Sequence, residues 1–255
     1  MKSEPRIAYF RFYEELNDFL PPEKHKRTFL HRFSGQPAVK DVIEALGVPH
    51  TEVDLILVNG KSVGFDYLLQ PGDRVAVYPV FESFDISGVS KVRKTPLRQT
   101  RFIADVHLGK LARRLRMLGF DTRYANHWDD PTLIDIALRE RRIILTRDRG
   151  VLKHKRVTHG YWIRATRPDE QLREVIRRFH LKKSFKPFTR CMVCNGLLAA
   201  VKKEEISSQL PEKPRKTFNK FYRCQHCGKI YWEGSHVQRM MRYLAAIENE
   251  LEQGR

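Results

Sequence analysis

No stretch of about 18 consecutive apolar residues occurs in the 255-residue sequence, which excludes a transmembrane helix. The first 19 residues, MKSEPRIAYFRFYEELNDF, carry charges throughout and lack the apolar core of a secretory signal. Cysteine is scarce, with four in all, and with no secretion signal a reduced compartment and a metal site fit them better than disulfides. Acidic residues are also in deficit, 30 against 48 lysines and arginines, for a net charge of +18. At 41% hydrophobic and 31% charged residues, the composition suits a soluble globular protein rather than a disordered or fibrous one. These absences point to a reduced, cytoplasmic setting with no membrane association, and the length suggests two or three modest domains.

The positive charge is unevenly spread. Residues 1–85 hold 10 basic and 13 acidic side chains, residues 86–188 hold 26 and 10, and residues 189–255 hold 12 and 7. The excess therefore begins near residue 86, as expected of a polyanion-binding part behind a neutral or acidic one. Nucleic acid is the first candidate, and a generally basic solubilising surface is the alternative.

In the front region, Arg6 to Tyr13 alternates like a strand and Val39 to Leu46 has helical spacing that Gly47 stops. Asn59-Gly60 between Asp54–Val58 and Lys61–Val63 predicts a hairpin. Pro71-Gly72-Asp73 is a further turn before a strand from Arg74. This order suggests a β-grasp. The runs Val48-Pro49-His50-Thr51-Glu52-Val53, Leu57-Val58-Asn59-Gly60 and Pro71-Gly72-Asp73-Arg74-Val75 resemble the ubiquitin-like sulfur-carrier families. Those families act through a free terminal Gly-Gly, and here the chain runs on through Phe81-Glu82-Ser83-Phe84-Asp85 with none. The expected role is docking, with a possible protein partner, rather than sulfur transfer. Residues 86–99 read as a linker.

The middle region alternates strands and helices, which implies a parallel sheet. Strands are expected at 102–104, 122–125, 142–146 and 161–165. Helices are expected at 108–118, 131–139 and 169–179, with Asp130 as the N-cap of the second. Asp105 follows the first strand, Asp129 and Asp130 open the second helix, and Asp148 follows the third strand. Carboxylates beyond the carboxyl ends of parallel strands suit Mg²⁺ or Mn²⁺, ions that activate water for phosphodiester hydrolysis. Aspartate is also a favoured helix cap, so each position has that second reading.

The runs Phe102-Ile103-Ala104-Asp105, Leu108-Gly109-Lys110-Leu111-Ala112-Arg113-Arg114-Leu115-Arg116-Met117-Leu118-Gly119-Phe120-Asp121-Thr122, Ile143-Ile144-Leu145-Thr146-Arg147-Asp148 and Gln171-Leu172 resemble a PIN-like nuclease. The closer resemblance is to the Mut-seven-C ribonuclease family, some members of which carry the same ubiquitin-like domain in front. The resemblance implies a metal-dependent RNase. Asp105, Asp130 and Asp148 match the acidic positions, Asp129 is an alternate for the second, and Asp169 stands in for a fourth. It also implies cleavage that leaves a 5′-phosphate and a 3′-hydroxyl.

Lys110, Arg113 and Arg114 share one helix face opposite the leucines, and Arg116 extends it. With Arg147 and Arg149 they are the expected RNA contacts. His107, Tyr124, Trp128 and Trp162 are candidates for stacking on unpaired bases or for ordinary packing. No base-reading motif is present, so salt-sensitive binding of single-stranded RNA through its backbone is expected.

All four cysteines sit in two knuckles, Cys191-Met192-Val193-Cys194 and Cys224-Gln225-His226-Cys227. Four thiolates close a tetrahedral structural Zn²⁺ site with no open position. A redox dithiol and an iron–sulfur cluster are the rivals. The expected architecture is multidomain α/β and α+β: a ubiquitin-like β-grasp (1–85), a linker (86–99), a PIN-like RNase domain (100–187), and a zinc ribbon with a C-terminal helix (188–255). The expected activity is hydrolysis of RNA. The alternative is a non-catalytic RNA- or ribonucleoprotein-binding module with structural zinc.

Overall fold

A computed structural model describes residues 6–79, 91–92 and 100–252. Two compact units emerge, one from residues 1–100 and 128–162, the other from residues 101–127 and 163–255. The front elements are β1 (Arg6–Phe12), β2 (Phe29–Phe33), α1 (Val39–Ala45), β3 (Val53–Val58), β4 (Lys61–Val63) and β5 (Arg74–Pro79). Then come β6 (Phe102–Ala104), α2 (Gly109–Met117), β7 (Thr122–Arg123), α3 (Asp130–Glu140), β8 (Ile143–Thr146), α4 (Arg149–Lys153), β9 (Gly160–Trp162) and α5 (Pro168–Arg178). The last are β10 (Leu198–Val201), α6 (Lys203–Ile206), α7 (Glu212–Thr217), β11 (Phe221–Cys224), β12 (Ile230–Trp232) and α8 (Ser235–Glu252). The linker expected over 86–99 lies outside the described residues except for 91–92, and Val92 packs against the front core.

The front sheet is mixed, in the order β2-β1-β5-β3-β4, the β-grasp arrangement that the sequence suggested. Its first and last strands pair in parallel, Tyr9 opposite Arg74 through Phe12 opposite Val77, which requires the long intervening crossover. The period-two pattern of β1 sends Ala8, Phe10 and Phe12 into the core and leaves Tyr9 and Arg11 outside. A slip of one residue would bury Arg11 and expose two phenylalanines, so the register is strongly specified. Helix α1 lays Val39, Val42 and Ile43 into the same core. Asn59 and Gly60, at φ 50° and 81°, turn the β3–β4 hairpin. The buried Asp73 carboxylate accepts from Asn59 Nδ2 (2.9 Å), Tyr67 Oη (3.0 Å) and the Gln70 amide (2.8 Å), which locks the turn before β5.

In the same unit, β8 and β9 pair in parallel, with Leu145 opposite Tyr161. Helix α3 buries Leu133, Ile134, Ile136 and Ala137. Its N-cap is Asp129, not Asp130 as expected: Asp129 Oδ1 accepts from the Thr132 amide at 3.0 Å, and Asp130 takes the first helical position before Pro131. The front domain packs on this segment through buried and half-buried polar contacts. His50 Nε2 lies 2.6 Å from Val157 O, the Trp162 amide donates to Glu52 Oε1 at 2.6 Å, and Lys153 Nζ donates to Glu44 O at 3.1 Å.

In the other unit, β6 and β7 pair in parallel and α2 packs on both strands and on α5. The apolar face of this helical segment, Leu108, Leu111, Ala112, Leu115 and Leu118, is fully buried. Each leucine contributes about 1.5–3 kcal/mol by leaving water. Gly119 ends the segment at φ +94°, and a Cβ there would lie 2.2 Å from Lys186 O, so only glycine fits. Phe102, Phe120, Phe179 and Phe185 interlock edge to face beneath it. Strands β10, β11 and β12 form an antiparallel sheet over a small core of Ile206, Leu210 and Phe221. Helix α8 is tied to α5 by Arg173, whose Nε and Nη2 donate to Glu250 at 2.6 and 3.1 Å. No helix among the described residues is long and apolar enough to cross a membrane.

Candidate functional site

Five candidate acids are divided between the units. Asp105 and Asp169 fall in one, Asp129, Asp130 and Asp148 in the other. Asp105 directly follows β6, is 5% exposed, and makes no side-chain cap to the 3-10 turn that begins at Val106. Its backbone carbonyl closes that turn, accepting from Leu108 N at 2.9 Å. A buried carboxylate is costly to hold unless its oxygens are partnered, by protein groups or by a cation. Asp148, exposed two residues beyond β8, does cap: its Oδ1 accepts from Gly150 N at 2.7 Å at the start of α4. A carboxylate has about four acceptor positions, so one cap bond leaves room for a cation. Asp129 caps α3, and bonds from the Thr132 amide and side chain hold its carboxyl below the usual range. Asp130 is exposed in the first turn of α3.

Asp169 is differently engaged. Arg114 Nη2 lies 2.8 Å from its Oδ1, and the Tyr243 hydroxyl donates to the same oxygen at 2.5 Å. The Arg114 guanidinium also lies 5.7 Å from the Tyr243 ring centre. This acid fastens α8 to α2 and α5, and so does Arg114, one of the arginines expected at RNA.

Of the other basic residues expected at RNA, Lys110, Arg113 and Arg147 are exposed. Arg149 lies 3.9 Å from the Trp162 ring centre and 5.2 Å from that of Phe19, a cation–π arrangement that holds the guanidinium beside Asp148 in sequence. Trp162 is accordingly a packing residue here, covered by Arg149 and tilted against Phe19 at 4.9 Å, rather than an open stacking surface. Arg116 departs from its expected place on the RNA face. It is 3% exposed, and its guanidinium donates to Thr122 O (2.8 Å), Met192 O (3.2 Å) and Val193 O (2.7 Å). The helix turns it 300° beyond Arg113 at 100° per residue, toward the first cysteine knuckle, where it clamps two knuckle carbonyls.

The cysteines converge. All four Sγ atoms lie within 4.8 Å of one another, with Cys191–Cys227 at 3.7 Å and Cys194–Cys224 at 3.4 Å. A tetrahedron of metal–sulfur bonds near 2.3 Å places sulfurs about 3.8 Å apart, so the set suits a thiophilic ion. Amides of Cys194, His226 and Cys227 point at ligand sulfurs at 3.4–3.5 Å, stabilising thiolates. Burial pushes the Cys194 thiol up to about 12; at Cys191 burial is outweighed by the Tyr231 hydroxyl and backbone amides, which bring it down to about 6. Gly196 is required by close approach: a Cβ would sit 2.8 Å from His226 Cβ and 2.9 Å from Cys224 Sγ.

Residues whose part in this module is invisible in the sequence brace it from a distance. Asn195, at φ 71°, accepts the Thr122 amide (2.9 Å) and donates to Asp121 Oδ1 (2.7 Å). Arg190 reaches Gly119 O and Asn195 O at 3.2 and 3.0 Å. These partners lie more than 70 residues apart, except for Arg190 and Asn195, and no local pattern announces them.

Comparison with known proteins agrees with this arrangement. Residues 100–244 match the Mut7-C RNAse domain, and residues 5–85 match the Mut7-C ubiquitin domain. No significant match was found among curated proteins or among solved structures. The first match spans more than half of the chain and takes in β6, Asp105, α3, Asp148 and both cysteine knuckles, so the protein belongs to the Mut7-C RNAse domain family, with a Mut7-C ubiquitin-like domain in front.

Proposed function

We infer that the protein is a metal-dependent ribonuclease of a reduced, cytoplasmic compartment, acting on single-stranded RNA. Asp105, Asp130 and Asp148 are its metal-holding acids, and Asp129 is the alternate for the second. The observation that carries the reading is the match of residues 100–244 to the Mut7-C RNAse domain, within which Asp105 is a buried carboxylate at the carboxyl end of β6. Bound at these acids, Mg²⁺ or Mn²⁺ would supply a water of lowered pKa and positive charge against the phosphoryl oxygens. The chain's own residues grip and orient. Lys110, Arg113 and Arg147 offer exposed cations to phosphates, and Arg149, braced by Trp162 and Phe19, offers a positioned one. Arg114 and Asp169 serve to dock α8 instead.

The four cysteines hold Zn²⁺ in a structural role. Two knuckles with amides aimed at their sulfurs form a closed set, and the clamp from Arg116 and Asn195 ties that set to α2 and β7. The ubiquitin-like domain offers a docking surface to a protein partner.

The second reading, a non-catalytic RNA-binding module, is favoured by the capping bonds of Asp129 and Asp148. Cleavage of a labelled unstructured RNA with Mg²⁺, Mn²⁺ or chelator, beside Asp105→Asn and Asp148→Asn, separates the two. The nuclease predicts metal-dependent cutting that either variant abolishes while binding persists. Absent cutting with binding intact selects the binding module, and cutting that needs no metal and survives both substitutions overturns the acidic site.

A further inference from the structure

The front region carries a net negative charge in sequence, yet its arginines are gathered on one part of its sheet. Strands β1, β2 and β5 read RIAYFRF, FLHRF and RVAVYP; together they contain four arginines and no acid. Strand alternation turns Phe10, Phe12, Val75 and Val77 inward and leaves a face that displays Tyr9, Arg11, Leu30, Arg32, Arg74 and Tyr78. Pairing makes this one surface: Tyr9 lies opposite Leu30 on one side and opposite Arg74 on the other, and Ile7 lies opposite Arg32. Tyr9 is 40% and Leu30 46% exposed. Toward the end of β1, the Tyr13 and Tyr78 rings stack at 4.3 Å and 11°, and the Arg11 guanidinium lies 5.2 Å from the Tyr13 ring centre.

We propose that this face of the ubiquitin-like domain is a binding platform for single-stranded RNA. It extends the RNA reading above and rests on RNA being the ligand class. Sheet faces that take single strands combine aromatic rings for base stacking with cations for phosphates, and both are interleaved here at strand spacing. Same-face residues two apart along a strand are about 6.8 Å apart, on the scale of one nucleotide of an extended chain. The charge argues for RNA over a protein partner. The three strands supply cations at displayed positions and no acid, the complement of a phosphate chain, while arginine and tyrosine are also frequent in protein interfaces, so a protein partner is the rival outcome of the test. The Arg11 guanidinium, held over the Tyr13 ring, is a positioned cation for a phosphate.

The test uses the full chain without added Mg²⁺ or Mn²⁺, so that cleavage does not interfere and the cysteine site keeps its metal, with a labelled oligouridylate as probe. Tyr9→Ala is expected to weaken binding about fivefold or more, the lower end of the loss of one stacked base, and Tyr9→Phe to bind as the wild type does. The triple variant Arg11→Gln/Arg32→Gln/Arg74→Gln is expected to flatten the salt dependence by about two logarithmic units of slope, with an unchanged melting temperature. Ultraviolet cross-linking to 4-thiouridine RNA reads the same face without any substitution, with cross-links expected in the peptides that contain Tyr9 and Tyr78. Unchanged affinity and slope, with cross-links confined to residues beyond 100, would overturn the platform and leave the face to a protein partner. Cleavage assayed separately judges the nuclease: face-dependent binding without cleavage sinks that reading alone, and cleavage with face-independent binding sinks the platform alone.

Discussion

Arg113 and Arg116 stand three residues apart on α2 and have opposite fates. Arg113 is exposed, whereas Arg116 is buried with three carbonyl partners. Replacing Arg116 by alanine leaves those carbonyls without their donor. A loss of about 1.5–3 kcal/mol is expected, the range for hydrogen bonds to a charged group, together with easier metal release. Denaturant unfolding and a chromogenic chelator would measure the two. Arg113→Ala is expected to keep stability within about 0.5 kcal/mol and to weaken RNA binding, the reverse pattern. Both residues look alike in sequence, because helical spacing shows an arginine's direction only to within the width of a face. Gly196→Ala would press a methyl group against Cys224 Sγ and His226, so weaker metal retention is expected with Cys191, Cys194 and Cys227 unchanged.

At the scale of elements, helices were the most legible parts. The leucine spacing over 108–118 foretold the buried face, although the chain enters through a 3-10 turn at Val106–Leu108 and the α-helix proper starts at Gly109. Helices α6 and α7 and strands β10 to β12 were not individually legible, since a small module organised around four sulfurs needs little apolar periodicity. The docking of α8 yields a prediction in pH. Burial and the bond to Asp169 push the Tyr243 hydroxyl up to about 12. A group whose pKa is raised on folding contributes its stability fully below the unfolded value near 10, and that contribution is lost as the pH rises through about 12. Tyrosinate absorbance should therefore place Tyr243 among the late-titrating tyrosines, with Tyr231, Tyr67 and Tyr78, whose hydroxyls burial also pushes up, and thermal stability should decline across pH 10 to 12. Tyr243→Phe should remove one of these late titrations and the associated part of the decline.

At the scale of the molecule, the cysteine module and the charge asymmetry govern expected behaviour. The apolar core beneath β11 is small, so metal binding and folding of the module should be coupled. A strong chelator under denaturing or competitive conditions is expected to lower the melting temperature, with recovery on adding Zn²⁺. Cobalt substitution should give the thiolate charge-transfer absorption of a four-sulfur site. RNA affinity should fall steeply with salt, because the contacts proposed are to phosphates; a salt-independent affinity would contradict backbone-driven binding.

The amino-acid sequence alone carried the local patterns: alternation in β1, the Asn59-Gly60 hairpin, the leucine face before Gly119 and the two cysteine knuckles. Each is encoded within a few residues, where backbone preference and hydrophobic period act directly. Folding settled what depends on partners far along the chain. It withdrew Arg116 from solvent, committed Arg114 and Asp169 to α8, covered Trp162 with Arg149, and made Asp129 rather than Asp130 the cap of α3. It also assembled the arginine and tyrosine face from three strands that are distant in sequence and contain no acid. Burial and pairing of polar groups are set by which surfaces meet, and a list of residues does not contain that information until the chain has packed.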